Sequence, residues 1–384
     1  MVNRRSFLWS SSAAALGVLP ASRAIAGLYP GQADALALQS SDPLARMIVV
    51  NALGGLNDGY GSPPPVPPTL GTAEARAAAK ASGMTALNMT VASGPDFEAT
   101  VAAIGRYNAF VREHSNDFLT VLTTEDIRRA KAEKKVGIIY GFQNAAMLGD
   151  KVDRVDIFAN LGVRSIQLTY NSLNQLGGGS MAPGDPGLTP FGREAVARLN
   201  ECRVMVDLSH SGRQICLDAA RASKAPIAIS HTGCKALVDY PRNKTDEELK
   251  LVADRGGFIG IYFVMFVAMG REATTDDVVA HIRHAVKVCG IDHVGIGSDY
   301  GIVETKDQAA ARAYWGNFVR RRVAAGSAAI GEDPEVLPYA RGLTGPEQFR
   351  NLHRALEKAG FNSAAIEKIL GQNYLRYAKE IWGA

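Results

Sequence analysis

The chain has 384 residues, 47% hydrophobic and 21% charged, enough for a large core in one barrel-sized domain or two smaller ones. Its formal charge of +4 includes Arg4, Arg5 and Arg23. Without residues 1–26, 39 bases face 38 acids, and that balance gives no electrostatic basis for nucleic-acid binding. No apolar stretch reaches the roughly 18 residues of a membrane span, so stable membrane insertion is not expected.

The chain opens with "NRRSFLWSSSAAALGVLPASRAIAG", where Arg4-Arg5 precedes Phe7-Leu8, a weakly apolar stretch and Ala24-Ile25-Ala26. This pattern predicts a twin-arginine signal over residues 1–26 and export to the periplasm by the twin-arginine machinery. Residues 27–384 then form one mature domain. Cys202, Cys216, Cys234 and Cys289 lack C-x-x-C spacing, which argues against a cysteine zinc site. Buried, unpaired thiols are expected; if one disulfide forms, Cys216–Cys234 is the favoured pair.

Eight apolar runs follow in order: 46–53, 83–91, 134–142, 163–171, 202–210, 225–231, 256–264 and 293–300. Their near-continuous hydrophobicity fits strands buried on both faces of a parallel sheet. Helical patterns lie between many of them, as in "DFEATVAAIGRYNAFVREHSN", "TPFGREAVARLNE" and "TDEELKLVADRG", several opening at Thr or Asp and ending at Gly. Repeated βα alternation predicts an α/β fold, a (β/α)8 TIM barrel of metallo-dependent hydrolase type. The fold alternative is a doubly wound open sheet, but no G-x-G-x-x-G follows an early strand. A Gly/Pro-rich loop at 174–189 and a partly helical excursion at about 302–346 interrupt the rhythm. Two amphipathic helices, over 346–360 and 363–382, are expected to complete the outer ring.

In such a barrel the chemistry sits at the C-terminal strand ends. Here those ends carry Gln143-Asn144, Tyr170-Asn171, His210, His231 and Asp299. A lone histidine at a strand end is usually a hydrogen-bonded structural residue. Two on consecutive strands, with an aspartate on the eighth, converge on one mouth and favour a shared metal or acid–base site. His281, His284, His293 and His353 lie away from the mouth and read as packing or surface residues. Arg242, in "DYPRNKTDEEL", is placed to clamp a carboxylate with two parallel hydrogen bonds; its competing reading is a surface residue near a helix cap.

"VDLSHSG", "ISHTG", "GLTPFGREAVARLN", "DHVGIGSDYG" and "ILGQNYLRYAKEIW" give the chain, from about residue 46 onward, a resemblance to the membrane (renal) dipeptidase family of zinc metallopeptidases. The resemblance implies a (β/α)8 barrel that hydrolyses dipeptides at a two-zinc site, in proteins that often pair as homodimers. By motif, it makes His210 and His231 ligands of one zinc, Arg242 the grip on the substrate carboxylate and Asp299 the residue that handles a proton. Tyr170 and Asn171 fall at substrate-contacting positions, and Ser209 and Ser230 brace the histidines.

The departures from that pattern limit the activity. The family's first strand ends in a His-x-Asp pair, whereas this chain reads "VVNALGGLND". Aligning "GLND" puts Leu56 at the histidine and keeps Asp58; aligning "NALGG" leaves Leu53 and Gly55. The bridging glutamate is replaced by Gln143, and a substrate-contacting histidine by Tyr170. Two zinc ions about 4 Å apart repel by roughly 16 kcal/mol at an effective dielectric near 20, and a neutral glutamine offsets little of that. The expectation is at most one tightly held zinc per chain, at His210 and His231, completed by Asp299 or a water, with Gln143 at most a weak oxygen ligand and Asp58 a further candidate. The leading reading is an exported metal-dependent dipeptidase or related amidohydrolase acting on a small substrate with a free carboxylate. The alternative is a metal-poor relative that binds or matures a peptide-derived molecule without hydrolysing dipeptides.

Overall fold

The computed structural model describes residues 42–59, 70–324 and 330–383. The signal proposed for residues 1–26 lies outside them. The chain divides into two units, Met1–Ala45 and Arg46–Ala384. In the first, the described residues form the short 3-10 turn Pro43–Ala45.

The described residues of the second unit form nine parallel strands: β1 Val50–Gly54, β2 Ala86–Ala92, β3 Phe118–Thr120, β4 Val136–Phe142, β5 Val163–Gln167, β6 Met205–Asp207, β7 Ala228–Thr232, β8 Phe258–Ile261 and β9 Val294–Ile296. The helices are α1 Ala73–Ala81, α2 Phe97–Glu113, α3 Thr124–Ala132, α4 Arg154–Asn160, α5 Pro190–Glu201, α6 Arg213–Ala222, α7 Asp246–Asp254, α8 Thr275–Cys289, α9 Gln308–Ala324, α10 Gln348–Lys358, α11 Ser363–Glu367 and α12 Asn373–Trp382. Eight strands pair in the order β1-β2-β4-β5-β6-β7-β8-β9, the (β/α)8 arrangement expected from the sequence. β3 is an addition. It pairs with Val136–Ile138 at the start of β4, while β5 pairs with Tyr140–Phe142 further along. Three residues are too short to show a period.

Side chains close the sheet where the backbone ladder is sparse. Asn51 on β1 donates to Ser298 Oγ at 2.8 Å and accepts from the Ser298 amide at 2.8 Å. Beside it, the Asp299 amide donates to the Leu53 carbonyl and the Gly55 amide to the Tyr300 carbonyl. Local chemistry sets the helix starts: Thr245 and Glu248 form a reciprocal capping box at the head of α7.

The C-terminal segment departs from the expected outer-ring helix. A π-helical turn at Lys368–Gln372 separates α11 from α12. Gly371 passes so close to β1 that a Cβ there would sit 2.1 Å from the Ile48 carbonyl oxygen. Asn373 then donates to the carbonyls of Ile291 and Val294, and Tyr374, Tyr377 and Trp382 pack with Val50, Ala86, Met205, Ala228 and Phe258. Those partners are the first residues of their strands, so α12 seals the N-terminal rim and leaves the opposite rim for chemistry. All four cysteines are free thiols. Among the described residues no helix is long and apolar enough to cross a membrane.

Asn51→Ala removes both bonds of the closing seam and leaves the buried Ser298 amide unpaired. It is expected to lower the unfolding free energy by about 2–4 kcal/mol, read as a shifted urea midpoint with an unchanged slope.

Candidate active site

Asp207 ends β6 with its carboxylate buried between β6 and β7. Its Oδ1 accepts from the Ser209 amide at 3.0 Å, the Ser209 hydroxyl at 2.6 Å and the Ser230 amide at 3.0 Å, while Oδ2 accepts from the Ser230 hydroxyl. Ser209 Oγ in turn accepts from the His231 amide at 3.0 Å. Both Ser-His turns thus hang on one carboxylate. Gly260 and Gly297 allow this packing, since a Cβ on either would lie about 2 Å from the Ser230 carbonyl oxygen.

The same bonds fix where the imidazole protons sit. The Ser230 hydroxyl proton goes to Asp207, so its oxygen accepts from His231 Nδ1 at 2.9 Å. His210 Nδ1 donates to Asn171 Oδ1 at 2.7 Å. Each ring therefore keeps an unprotonated Nε2, and both Nε2 atoms are buried without a hydrogen-bond partner. The ring centroids are 5.1 Å apart. Burial, and then the Arg242 charge, hold both histidines well below their usual pKa, so they are neutral at pH 7.

A cavity of about 200 Å³ opens above them at the C-terminal rim. Gln143, Tyr170, Asn171, His210, Arg242 and Asp299 line it, which brings together most of the residues singled out from the sequence. Tyr170 stacks on His210 with centroids 4.0 Å apart. Arg242 is 3% exposed; its Nη1 donates to the Ser209 carbonyl and its Nη2 has no partner. The surface reading of Arg242 is thereby overturned. Asp299 sits in the left-handed region at φ 52°, an unusual conformation for a non-glycine residue that turns it into the mouth. Burial pushes its carboxyl up to about 6 against the opposing pull of Arg242.

Two sequence candidates sit apart from this cavity. His231 is fully buried against His210 and does not line it. Asp58 lies in the turn after β1 and lines neither this cavity nor its neighbour. The sequence reading also missed part of the wall. Met181 of the Gly/Pro-rich loop, Tyr240, Met265 and Phe266 contribute, as do Trp315, Arg322 and Glu332 of the excursion after β9. The loop is docked by the Ser180 amide on the His210 carbonyl at 2.7 Å.

Two unpartnered imidazole nitrogens with lone pairs are donors of the kind zinc takes, and they supply two of the ligands such an ion needs. The donor set for a second ion does not fit. Leu56 is buried and apolar, Gln143 is neutral, and among the described residues no three His, Cys, Asp or Glu side chains are grouped to hold a metal.

The membrane dipeptidase family of peptidases matches residues 74–314. The chain is 28% identical over 261 residues to the dipeptidase tcpJ of Claviceps purpurea, covering 67% of this chain and 54% of that protein. It is 32% identical over 209 residues to an uncharacterized dipeptidase of Schizosaccharomyces pombe, covering 52% of this chain and 50% of that protein. The match therefore spans about half the length of these two relatives. The crystal structure of an amidohydrolase from Pseudomonas aeruginosa superposes with a TM-score of 0.77 at 32% identity, covering 90% of this chain and 99% of that one.

The neutral, buried histidines make stability depend on pH with a definite sign. Their pKa values are depressed on folding, so the unfolded chain binds more protons below its own value near 6.5 and stability falls as pH drops through that point. For chelator-treated protein, the His231→Gln variant should lose stability between pH 6.5 and pH 5 less steeply than wild type, by up to about 1.4 kcal/mol per pH unit, in urea titrations at each pH.

Proposed function

The chain belongs to the membrane dipeptidase family, and from that premise we propose that it hydrolyses the amide of a small substrate carrying a free carboxylate, using at most one zinc ion. The observation that carries this reading is Arg242: a guanidinium withdrawn from water, with Nη2 unpartnered, in the same cavity as Asp299. A buried cation with free donors calls for an anion, and a carboxylate matches its planar fork.

His210 and His231 would hold the ion through Nε2, braced by Asn171 and by the Asp207–Ser230 pair. When bound, zinc polarises the substrate carbonyl and makes water a better nucleophile near neutral pH. Arg242 anchors the carboxylate and so fixes the scissile amide against the cavity floor. Asp299, mostly ionised above pH 6, takes a proton from the attacking water as the water oxygen bonds to the carbonyl carbon. It returns that proton to the nitrogen as the C–N bond breaks, leaving an acid and an amine. Tyr170 covers the His210 ring and screens it from solvent.

Arg4-Arg5 and the small residues before Gly27 support export through the twin-arginine route, with folding and metal loading before passage. A second reading, ligand binding without hydrolysis, draws support from the two-nitrogen seat, which has no third His, Cys, Asp or Glu beside it among the described residues.

Metal analysis of protein equilibrated with zinc and gel-filtered should find no more than one ion per chain, and His210→Ala should retain none. Two ions per wild-type chain would overturn the charge reasoning at Gln143. On a substrate that is turned over, kcat/KM should rise with pH through about 6, and Asp299→Asn should lower kcat by about 10²–10⁴ and abolish that limb. Tight carboxylate binding with no metal and no turnover would leave the binding reading in its place.

A further inference from the structure

A second cavity of about 300 Å³ lies beside the first, at the ends of β1 and β2. The two share Gln143 and Asp299 as a common wall. It occupies the sector where Gly54, Gly55 and Asn57 stand at the end of the first strand, and its composition differs sharply from that of its neighbour. The first cavity contains Arg242, Arg322 and Glu332, whereas among the described residues that line the second Asp299 is the only acid and there is no base. Its other polar handles are uncharged. Among the described residues the Gln143 amide and the Thr90 hydroxyl have no hydrogen-bond partner, and Asn57 spends its Oδ1 on the Gly59 amide at 2.9 Å while its Nδ2 stays unbonded. Met89 and the rings of Tyr107 and Tyr300 supply apolar surface between them.

This composition bears on what can extend past the scissile amide. A dipeptide with its carboxylate at Arg242 would push its α-ammonium toward the second cavity. There it would find one carboxyl, Asp299, whose charge already interacts with Arg242 and which the reaction needs for proton transfer. Taking an ammonium out of water without a dedicated counter-charge is unfavourable. A neutral acyl group meets no such penalty. Its oxygen can accept from the Gln143 amide, a hydroxyl on it can bond Thr90, and its carbon chain can lie on Met89 and the tyrosine rings.

We infer that the second cavity is an acyl subsite, and that this chain takes N-acylated amino acids with an uncharged acyl group in preference to dipeptides with a free amine. The inference rests on the proposed capture of a carboxylate by Arg242, and its test separates the two.

Three ligands of nearly equal shape isolate the charge: L-alanyl-L-alanine, N-lactoyl-L-alanine with a hydroxyl in place of the ammonium, and N-propionyl-L-alanine with a hydrogen there. Each is also made as its C-terminal amide. Binding to the wild-type protein is measured by titration calorimetry at pH 7.5. The lactoyl and propionyl acids should bind at least ten-fold tighter than alanyl-alanine, with lactoyl the tightest. Thr90→Val should erase the advantage of lactoyl over propionyl, and Gln143→Glu should reverse the order in favour of the free amine. Alanyl-alanine binding as tightly as the acylated pair overturns the inference while leaving carboxylate capture intact. Amides that match their acids overturn carboxylate capture instead, and no binding by any of the acids overturns both.

Discussion

The Asp207 carboxylate is the interaction on which this site depends. β6 and β7 share a single paired register position, Asp207 with Ala228, so the backbone ladder is thinnest where both histidine turns begin. The carboxylate takes over the work of the missing rungs by accepting from two amides and two hydroxyls across the gap. Buried carboxylate bonds to backbone amides are among the stronger hydrogen bonds available to a fold. They also make the arrangement all-or-none. Losing the Ser209 hydroxyl strands the His231 amide, and losing the Ser230 hydroxyl strands Asp207 Oδ2 and His231 Nδ1, at about 1–3 kcal/mol for each group. A structural buried charge and a positioned pair of imidazoles are therefore the same object here.

The opening strand series could be read from the chain because near-continuous apolar runs of seven to nine residues carry their own signal. All eight appear in the barrel, in sequence order. β3, α1 and α3 escaped notice for a physical reason: Phe118–Thr120 is too short for a period, and α1 and α3 are short, with α1 composed mostly of alanine. The polar strand ends were legible through convergence, since barrel topology sends every C-terminus to one rim. The excursion residues Trp315, Arg322 and Glu332 reach the same cavity through packing over long sequence separations, which no local pattern encodes. Asp207 stood in plain view in "VDLSH", but its role requires knowing that Ser209 and Ser230 face each other, 3.0 Å apart. The burial of His231 behind His210 likewise follows from strand depth, which sequence spacing does not carry.

Charge around the histidines is arranged with more care than the ligand count alone conveys. Lys244 is 1% exposed; its Nζ donates to the Ser211 carbonyl, just past His210, and lies 3.4 Å from the buried Glu248 carboxylate. Lys244 and Arg242 both act to depress the His210 and His231 pKa values. The same positive field that keeps the imidazoles neutral, with lone pairs free, opposes a divalent ion approaching them. The neutral Gln143 amide and the apolar Leu56 side chain offer no anionic donor to offset that field. An ion held by these two nitrogens beside the two cations would bind less tightly than an ion in a carboxylate-rich centre, and an anionic ligand at Arg242 would strengthen its binding by adding negative charge to the cavity. Metal and substrate carboxylate are therefore expected to favour each other's binding. By linkage that coupling is reciprocal, so occupancy of the histidine pair becomes a function of whether the Arg242 clamp is filled.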